Sequence, residues 1–273
     1  MPSLNVIYTI WLRELTTFFR ERTRIVAMLA QPILYLLIVG VGITSGMTLN
    51  HAPGGLNYLK FIYPGTIAMS TLFTSIFSAM SIIWDREFGF LKEVLVAPVP
   101  RWAVAIGKSL GGATVAVLQS IILIAMAPFV GITLSPTVVL WLLVLAFLMS
   151  LGMTSMGVVF AAQMESMQGF QMVMNFLVMP LFFLSGGMFP INTAPAWMKA
   201  LMYIDPLTYG VDGLRNVVFS DTWVKIAGGL RISLVDLARH AGLVHWDLGF
   251  DVGLMLLVAL ILTGLGAYSF SRG

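Results

Sequence analysis

Residues 137–162 read TVVLWLLVLAFLMSLGMTSMGVVFAA, a run without a single charge. A helix rises about 1.5 Å per residue, so this segment can cross the roughly 30 Å hydrocarbon core of a bilayer. Working outward, other runs pass the same test, and spans are expected at 25–46, 61–84, 106–130, 137–162, 171–189 and 249–270. The whole chain shares the character: 59% of its 273 residues are hydrophobic, 10% are charged and the mean hydropathy is +0.94. No water-soluble domain of this size has that composition. The expected fold is an all-α polytopic membrane protein with six spans, forming one transmembrane domain over 1–273. The absence of cysteine excludes disulfides and thiolate metal sites. A net charge of +3 suits a membrane surface and gives no case for nucleic acid.

The placement of Lys and Arg sets an expected orientation. Arg13, Arg20, Arg22 and Arg24 precede the first span, and Arg86, Lys92, Arg101 and Lys108 surround the second-to-third connection. Both regions are expected on the cytoplasmic side, with Arg272 placing the C-terminus there too. Of the opposite loops, 47–60 carries Lys60 alone and Gly131 to Pro136 carries none. Five basic residues between 190 and 248 (Lys199, Arg215, Lys225, Arg231, Arg239) run against the rule, within a long segment that also carries aspartates. Four arginines and two glutamates ahead of the first span are not the layout of a cleaved signal peptide, so the N-terminus is expected to stay.

Between the second and third spans lies a charged insert, residues 85–101, which starts Asp85-Arg86-Glu87 and ends at Pro98, Pro100 and Arg101. Two spans need few charges between them, so a short amphipathic helix here reads as a docking element for a soluble partner. Residues 1–24 repeat apolar side chains at helical spacing (Leu4, Tyr8, Trp11, Leu15, Phe18), with Arg13 and Glu14 falling elsewhere. An interfacial amphipathic helix is expected. Membrane anchoring alone accounts for that pattern; a contact with the same partner is the sharper alternative. The fifth span carries Pro180 and ends in Ser185-Gly186-Gly187, so a broken or re-entrant helix is expected there. Residues 190–248 hold short amphipathic stretches expected to lie as small helices on the outer surface.

Candidate chemistry fails on spacing. Gly107-Lys108-Ser109 looks like the end of a phosphate-binding loop, but Trp102 stands where the first glycine is needed and no strand precedes it. Gly107 and Gly111 instead allow close helix packing, with Lys108 snorkelling to the interface. Asp212-Gly213-Leu214-Arg215 resembles part of a phospholipid-synthase signature but lacks its later aspartates, and reads as a solvated helix turn. Ser185-Gly186 and Ser45-Gly46 invite an intramembrane serine protease, which needs a histidine within a span. His51, His240 and His245 all fall in outer loops. No catalytic constellation and no metal site is expected, so the chain is not read as an enzyme. Ion-coupled carriers place ionisable residues within the membrane, and these spans are expected to bury no charge. An interior of Met, Phe and Thr suits an amphipathic or lipid-like cargo.

The order of these features resembles the type-2 ATP-binding-cassette (ABC) exporter permeases. The residues that carry the resemblance are Asp85-Arg86-Glu87 with Gly89, Leu91, Lys92, Leu95 and Pro98, then Arg101 and Gly107-Lys108. Leu184-Ser185-Gly186-Gly187-Met188-Phe189-Pro190, Tyr203-Ile204-Asp205-Pro206-Leu207-Thr208-Tyr209 and Gly213-Leu214-Arg215 complete it. The short drug-resistance, nodulation-factor and polysaccharide-export permeases are the subgroup it looks most like. The resemblance implies a subunit of the bacterial or archaeal cytoplasmic (inner) membrane, embedded among membrane lipids and paired with a second copy as a homodimer. Separate ATPase subunits would bind ATP and Mg, with no cofactor in this chain. The insert would be the coupling helix, with Arg86, Glu87, Phe88, Phe90, Leu91, Lys92, Glu93 and Leu95 at the ATPase and Trp11, Arg13, Leu15 and Phe18 flanking it. Pro180, Ser185, Gly186, Gly187, Phe189 and Pro190 would form an outer gate for export of a drug, glycolipid or polysaccharide carrier. A secondary carrier or channel not powered by ATP is the alternative.

Overall fold

A computed structural model describes residues 2–42, 58–89, 99–221, 223–225 and 231–272. Five of its helices are long and apolar enough to cross a membrane, and six if the pair Ser3–Arg20 and Ile25–Gly40, bent by 74°, counts as one broken span. Helix α1 (Pro2–Arg20) precedes α2 (Arg22–Tyr35), whose end widens into an i→i+5 turn over Leu36–Val41. Pro32 lies inside α2 just ahead of that widening and removes one backbone donor there. Then come α3 (Tyr58–Ser78), α4 (Met80–Glu87), α5 (Arg101–Ala125), α6 (Pro136–Gln163) and α7 (Met167–Leu184). Short helices α8 (Ala196–Ile204), α9 (Pro206–Ser220) and α10 (Leu234–His240) lead to α11 (Leu248–Arg272).

Helix α6 is apolar on every side and sits at the centre, packed against α11, α5, α3 and α9. Small residues let the backbones approach, as membrane helices need. A Cβ on Gly157 would stand 2.8 Å from Ala79 and from the Ile76 carbonyl, and Gly112 is pressed against Ser78 and Thr154. Buried hydroxyls bond across the helices, Thr71 to Ser120 at 3.0 Å and Ser155 to Thr263 at 2.9 Å.

The structure corrects three expectations. Helix α7 runs unbroken through Pro180, so of the two interruptions marked in the sequence only the one at Ser185–Gly186 is made, where Gly186 has φ +73° and ends the helix in the left-handed region that favours glycine. A proline in a helix removes one hydrogen bond but does not by itself end the helix. Helix α9 does not lie on the surface: Leu207, Thr208 and Val211 to Phe219 are buried against α3, α6 and α11, because Gly210 and Gly213 let Met149 and Leu145 come close. Finally, Arg231–Ser233, within a stretch expected to be helical, pairs antiparallel with Trp223–Lys225, in the register Trp223 to Ser233. Helix α10 starts only where Ser233 caps it, its hydroxyl accepting from Asp236 N.

Candidate functional site

At one end of the bundle, here the insert end, α1 is clamped to α5. A Cβ on Gly107 would stand 2.8 Å from Ile10 and one on Gly111 2.6 Å from Glu14, so both glycines are needed for the approach. Trp11 Nε1 donates to Thr114 Oγ1 at 3.0 Å. Four charges close the joint. Arg13 grips Asp85 with two parallel hydrogen bonds of 2.6 and 2.9 Å, and Lys108 donates to Asp85, to Glu14 at 2.5 Å and to Ser81 at 3.1 Å. Asp85 and Lys108 are buried, so the pairing offsets a desolvation cost that neither charge could bear alone. Two cations meet two anions, and three elements far apart in sequence become one stem. Contrary to the reading of the sequence, Lys108 does not snorkel but is the hub, and its burial, with that of Asp251 in α11, corrects the expectation of spans without buried charge.

The insert residues divide. Asp85 points into the stem. Arg86 donates to the carbonyls of Ala162 (3.0 Å) and Met164 (2.7 Å), satisfying the last turn of α6, so its two bonded guanidinium nitrogens serve the fold. Glu87 and Phe88 are exposed, and Trp84, half exposed, tilts against Phe88 with ring centroids 5.5 Å apart. Phe90, Leu91, Lys92, Glu93 and Leu95 lie outside the described residues. On α1, Phe18 is buried, Trp11, Arg13 and Leu15 are half-buried, and Leu4 and Tyr8 are exposed. The helix buries Ile10 and Phe18 against the protein and turns a second apolar face, Leu4, Tyr8, Leu12 and Phe19, outward.

The opposite end holds the residues expected to form a gate. Ser185 is buried, its hydroxyl donating to Phe182 O and accepting from Gly187 N. Gly187 packs on Gly65 of α3, and Phe189 packs beside Ile191 and Met202 with Pro190 leading into the short turn Ile191–Thr193. Asp212 and Arg215, expected as a solvated turn, are each 1% exposed. Arg215 donates to Gly186 O (3.0 Å) and Leu243 O (3.1 Å) and lies 4.2 Å from the centre of the Phe61 ring. Burial lowers its pKa to about 10, against the pull of Asp212. Asp212 accepts from the backbone N–H groups of His245 and Trp246. Asp205 caps α9 through Leu207 N at 2.9 Å, and burial pushes its carboxyl up to about 7.

Between α2, α3, α5 and α7 lies a cavity of about 350 Å³, lined in part by Met28, Gln31, Phe73, Thr74, Gln119 and Asn175. Its lining carries no charge. Gln119 is fixed by donating to Met28 O at 2.7 Å and accepting from Thr74. Among the described residues, no group of three or more His, Asp or Glu is arranged to hold a metal ion.

A bundle of long apolar helices marks a polytopic membrane protein, and comparison with known proteins gives the family. The profile of the ABC-2 type transporters matches residues 5–219. The chain belongs to the ABC-2 type transporter family. It is 25% identical over 244 residues to a transport permease of Cyanophora paradoxa, ycf38, covering 87% of this chain and 82% of that one. It is 29% identical over 213 residues to the inner membrane transport permease YadH of Escherichia coli K12 (76% and 80% covered). A multidrug ABC transporter permease of the same organism, YbhR, is 26% identical over 178 residues (63% and 47% covered).

Proposed function

We propose that this chain is the membrane half of an ABC exporter, working as a homodimer with two ATPase subunits docked at the insert end. That end would face the cytoplasm of a bacterium or archaeon, with both termini inside. ATP and Mg would be held by the partner, and this chain would supply the path for an amphipathic or lipid-like molecule moving outward. The observation that carries the reading is the stem: a buried four-charge joint behind an exposed Trp84, Glu87 and Phe88. A lever needs a rigid base and an accessible tip, and this is that arrangement. When the partner dimer closes on ATP, a push on the insert would reach α1 and α5 through Asp85 and shift the balance between two states of the bundle.

The uncharged cavity beside α7 supports the cargo class. Met28, Met69, Phe73 and Phe77 offer adaptable apolar contact, and Gln31 and Asn175 offer polar contact without charge. Met172, Phe176, Met179 and Phe183 on α7 are exposed, the kind of face a second copy would cover to complete a path between protomers. The test is capture of tagged protein from its native membranes, with mass spectrometry and an ATPase assay on the eluate. Recovery of a P-loop ATPase near one-to-one is expected. Its absence, with transport persisting in vesicles without ATP, would favour a secondary carrier or channel instead.

A further inference from the structure

A second cavity, of about 770 Å³, opens at the insert end between the last turns of α6 and α11. Arg86, Gln163, Glu165, Tyr268, Ser269 and Arg272 supply its polar lining. Above it the two helices are sealed: a Cβ on Gly266 would stand 3.3 Å from Ser155 O, and Ser155 bonds Thr263. Below that seam Ser269 still ties them, its hydroxyl donating to Val159 O at 3.4 Å and accepting from Gln163 at 3.5 Å, and the wedge opens beside these bonds. Arg86 has five N–H donors, of which two go to the α6 carbonyls. Arg272 lies 4.4 Å from the centre of the Tyr268 ring, and no ion pair is found for it among the described residues. Arg272 is exposed, as is Glu165 on the rim.

The way into this wedge is apolar. Leu257, Ile261 and Leu265 are each about half exposed and follow one another at i, i+4 and i+8 down the outer face of α11. Leu265 also lines the wedge. An acyl chain laid along that row brings its headgroup to Arg272 and Arg86, at the depth where a span ends. We propose that the wedge is a binding site for an anionic phospholipid, its phosphate held by Arg272 and Arg86 and a chain running along Leu257, Ile261 and Leu265. The site serves whatever powers transport and does not depend on the cargo. Two guanidiniums against one carboxylate leave an excess positive charge that a phosphodiester satisfies and a zwitterionic headgroup only partly does. A free phosphate would make no use of the apolar row.

The experiment is thermal unfolding of delipidated full-length protein in detergent, titrated with phosphatidylglycerol, with phosphatidylcholine of the same chains, or with inorganic phosphate. Phosphatidylglycerol is expected to raise the Tm saturably, phosphatidylcholine to do so at higher concentration, and inorganic phosphate not at all. Arg272→Gln should weaken the apparent phosphatidylglycerol affinity roughly five-fold, the effect of one basic side chain at an anionic surface, without changing the lipid-free Tm. Glu165→Gln should tighten it by removing the rim carboxylate. Arg86 is kept, because its loss would strip two helix carbonyls of their donor. Equal response to the two lipids, reproduction of the effect by phosphate, or an unchanged affinity in Arg272→Gln would overturn the proposal.

Discussion

At the insert end Asp85 meets Arg13 and Lys108, and Lys108 meets Glu14, so two cations and two anions cancel within one joint. At the far end, among the described residues, the buried Arg215 bonds to no carboxylate: two carbonyl oxygens and the face of Phe61 hold it, while Asp212 accepts from backbone N–H groups and has the His245 ring at 3.6 Å. Asp251, fully buried, has no hydrogen-bond partner for either oxygen among the described residues. The difference is mechanical. Buried side-chain pairs at the insert end bind three helices into one piece, whereas at the far end the ion pair Arg239–Asp247 is exposed and the buried Arg215 and Asp212 pin stretches of loop, the Gly186 turn and residues 243–246. A stiff stem and a set of separate pins would suit the proposed lever and outer gate.

The comparison breaks most severely at Asp85. Asp85→Ala leaves Lys108 buried without its main partner and should cost about 3–5 kcal/mol, the usual penalty for an orphaned buried charge. Thermal unfolding in detergent reads this, and adding Lys108→Met should restore part of the loss. If the single and double variants melt alike, the joint is not a cooperative unit. At the far end, Arg215→Met removes one donor group from two carbonyls and should cost about 1–3 kcal/mol. Arg215→Lys should rescue little, since an ammonium cannot reproduce the planar fork. Gly107→Val pushes an isopropyl group into Ile10 and should cost a similar ~1–3 kcal/mol by overpacking α1 against α5.

The smallest effect is at Asp205, and its sign depends on pH. Its folded pKa of about 7 lies above the ordinary value of 3.8, so the folded chain binds the extra proton. That contribution favours the fold fully below pH 4 and is lost as the pH rises to about 7. Asp205→Asn keeps a cap without a buried charge and should flatten this slope, melting at or above the parent at pH 8. Asp205→Ala should lose the cap, about 1 kcal/mol. Identical pH profiles for the parent and Asp205→Asn would show that the carboxyl does not titrate in this range.

A span such as 137–162 was legible because it needs no partner to be understood: length and absence of charge suffice, and the helix found there is Pro136–Gln163. Close packing at Gly107 and Gly111 was also legible, from spacing alone. The role of Lys108 was not, because snorkelling and burial look the same until Asp85, 23 residues earlier, and Glu14 of α1 are known to converge on it. Asp212 and Arg215 misled for a related reason. A polar, glycine-containing turn reads as solvated, and only the insertion of α9 between spans makes it interior. Of the two break signals in the fifth span, Pro180 was absorbed into α7 and Ser185-Gly186-Gly187, with its left-handed glycine, ended it.

Within four residues the insert changes from fold to tip: Asp85 is spent on the bundle, Arg86 gives two of its donors to it, and Glu87 and Phe88 are exposed. The most direct test compares Glu87→Arg with Asp85→Ala, measuring Tm and co-purifying ATPase on the same preparations. Glu87→Arg should keep the parental Tm and lose the ATPase, while Asp85→Ala should lose Tm first. A Glu87→Arg protein that still retains the ATPase at parental stoichiometry would contradict the docking of a partner on this tip.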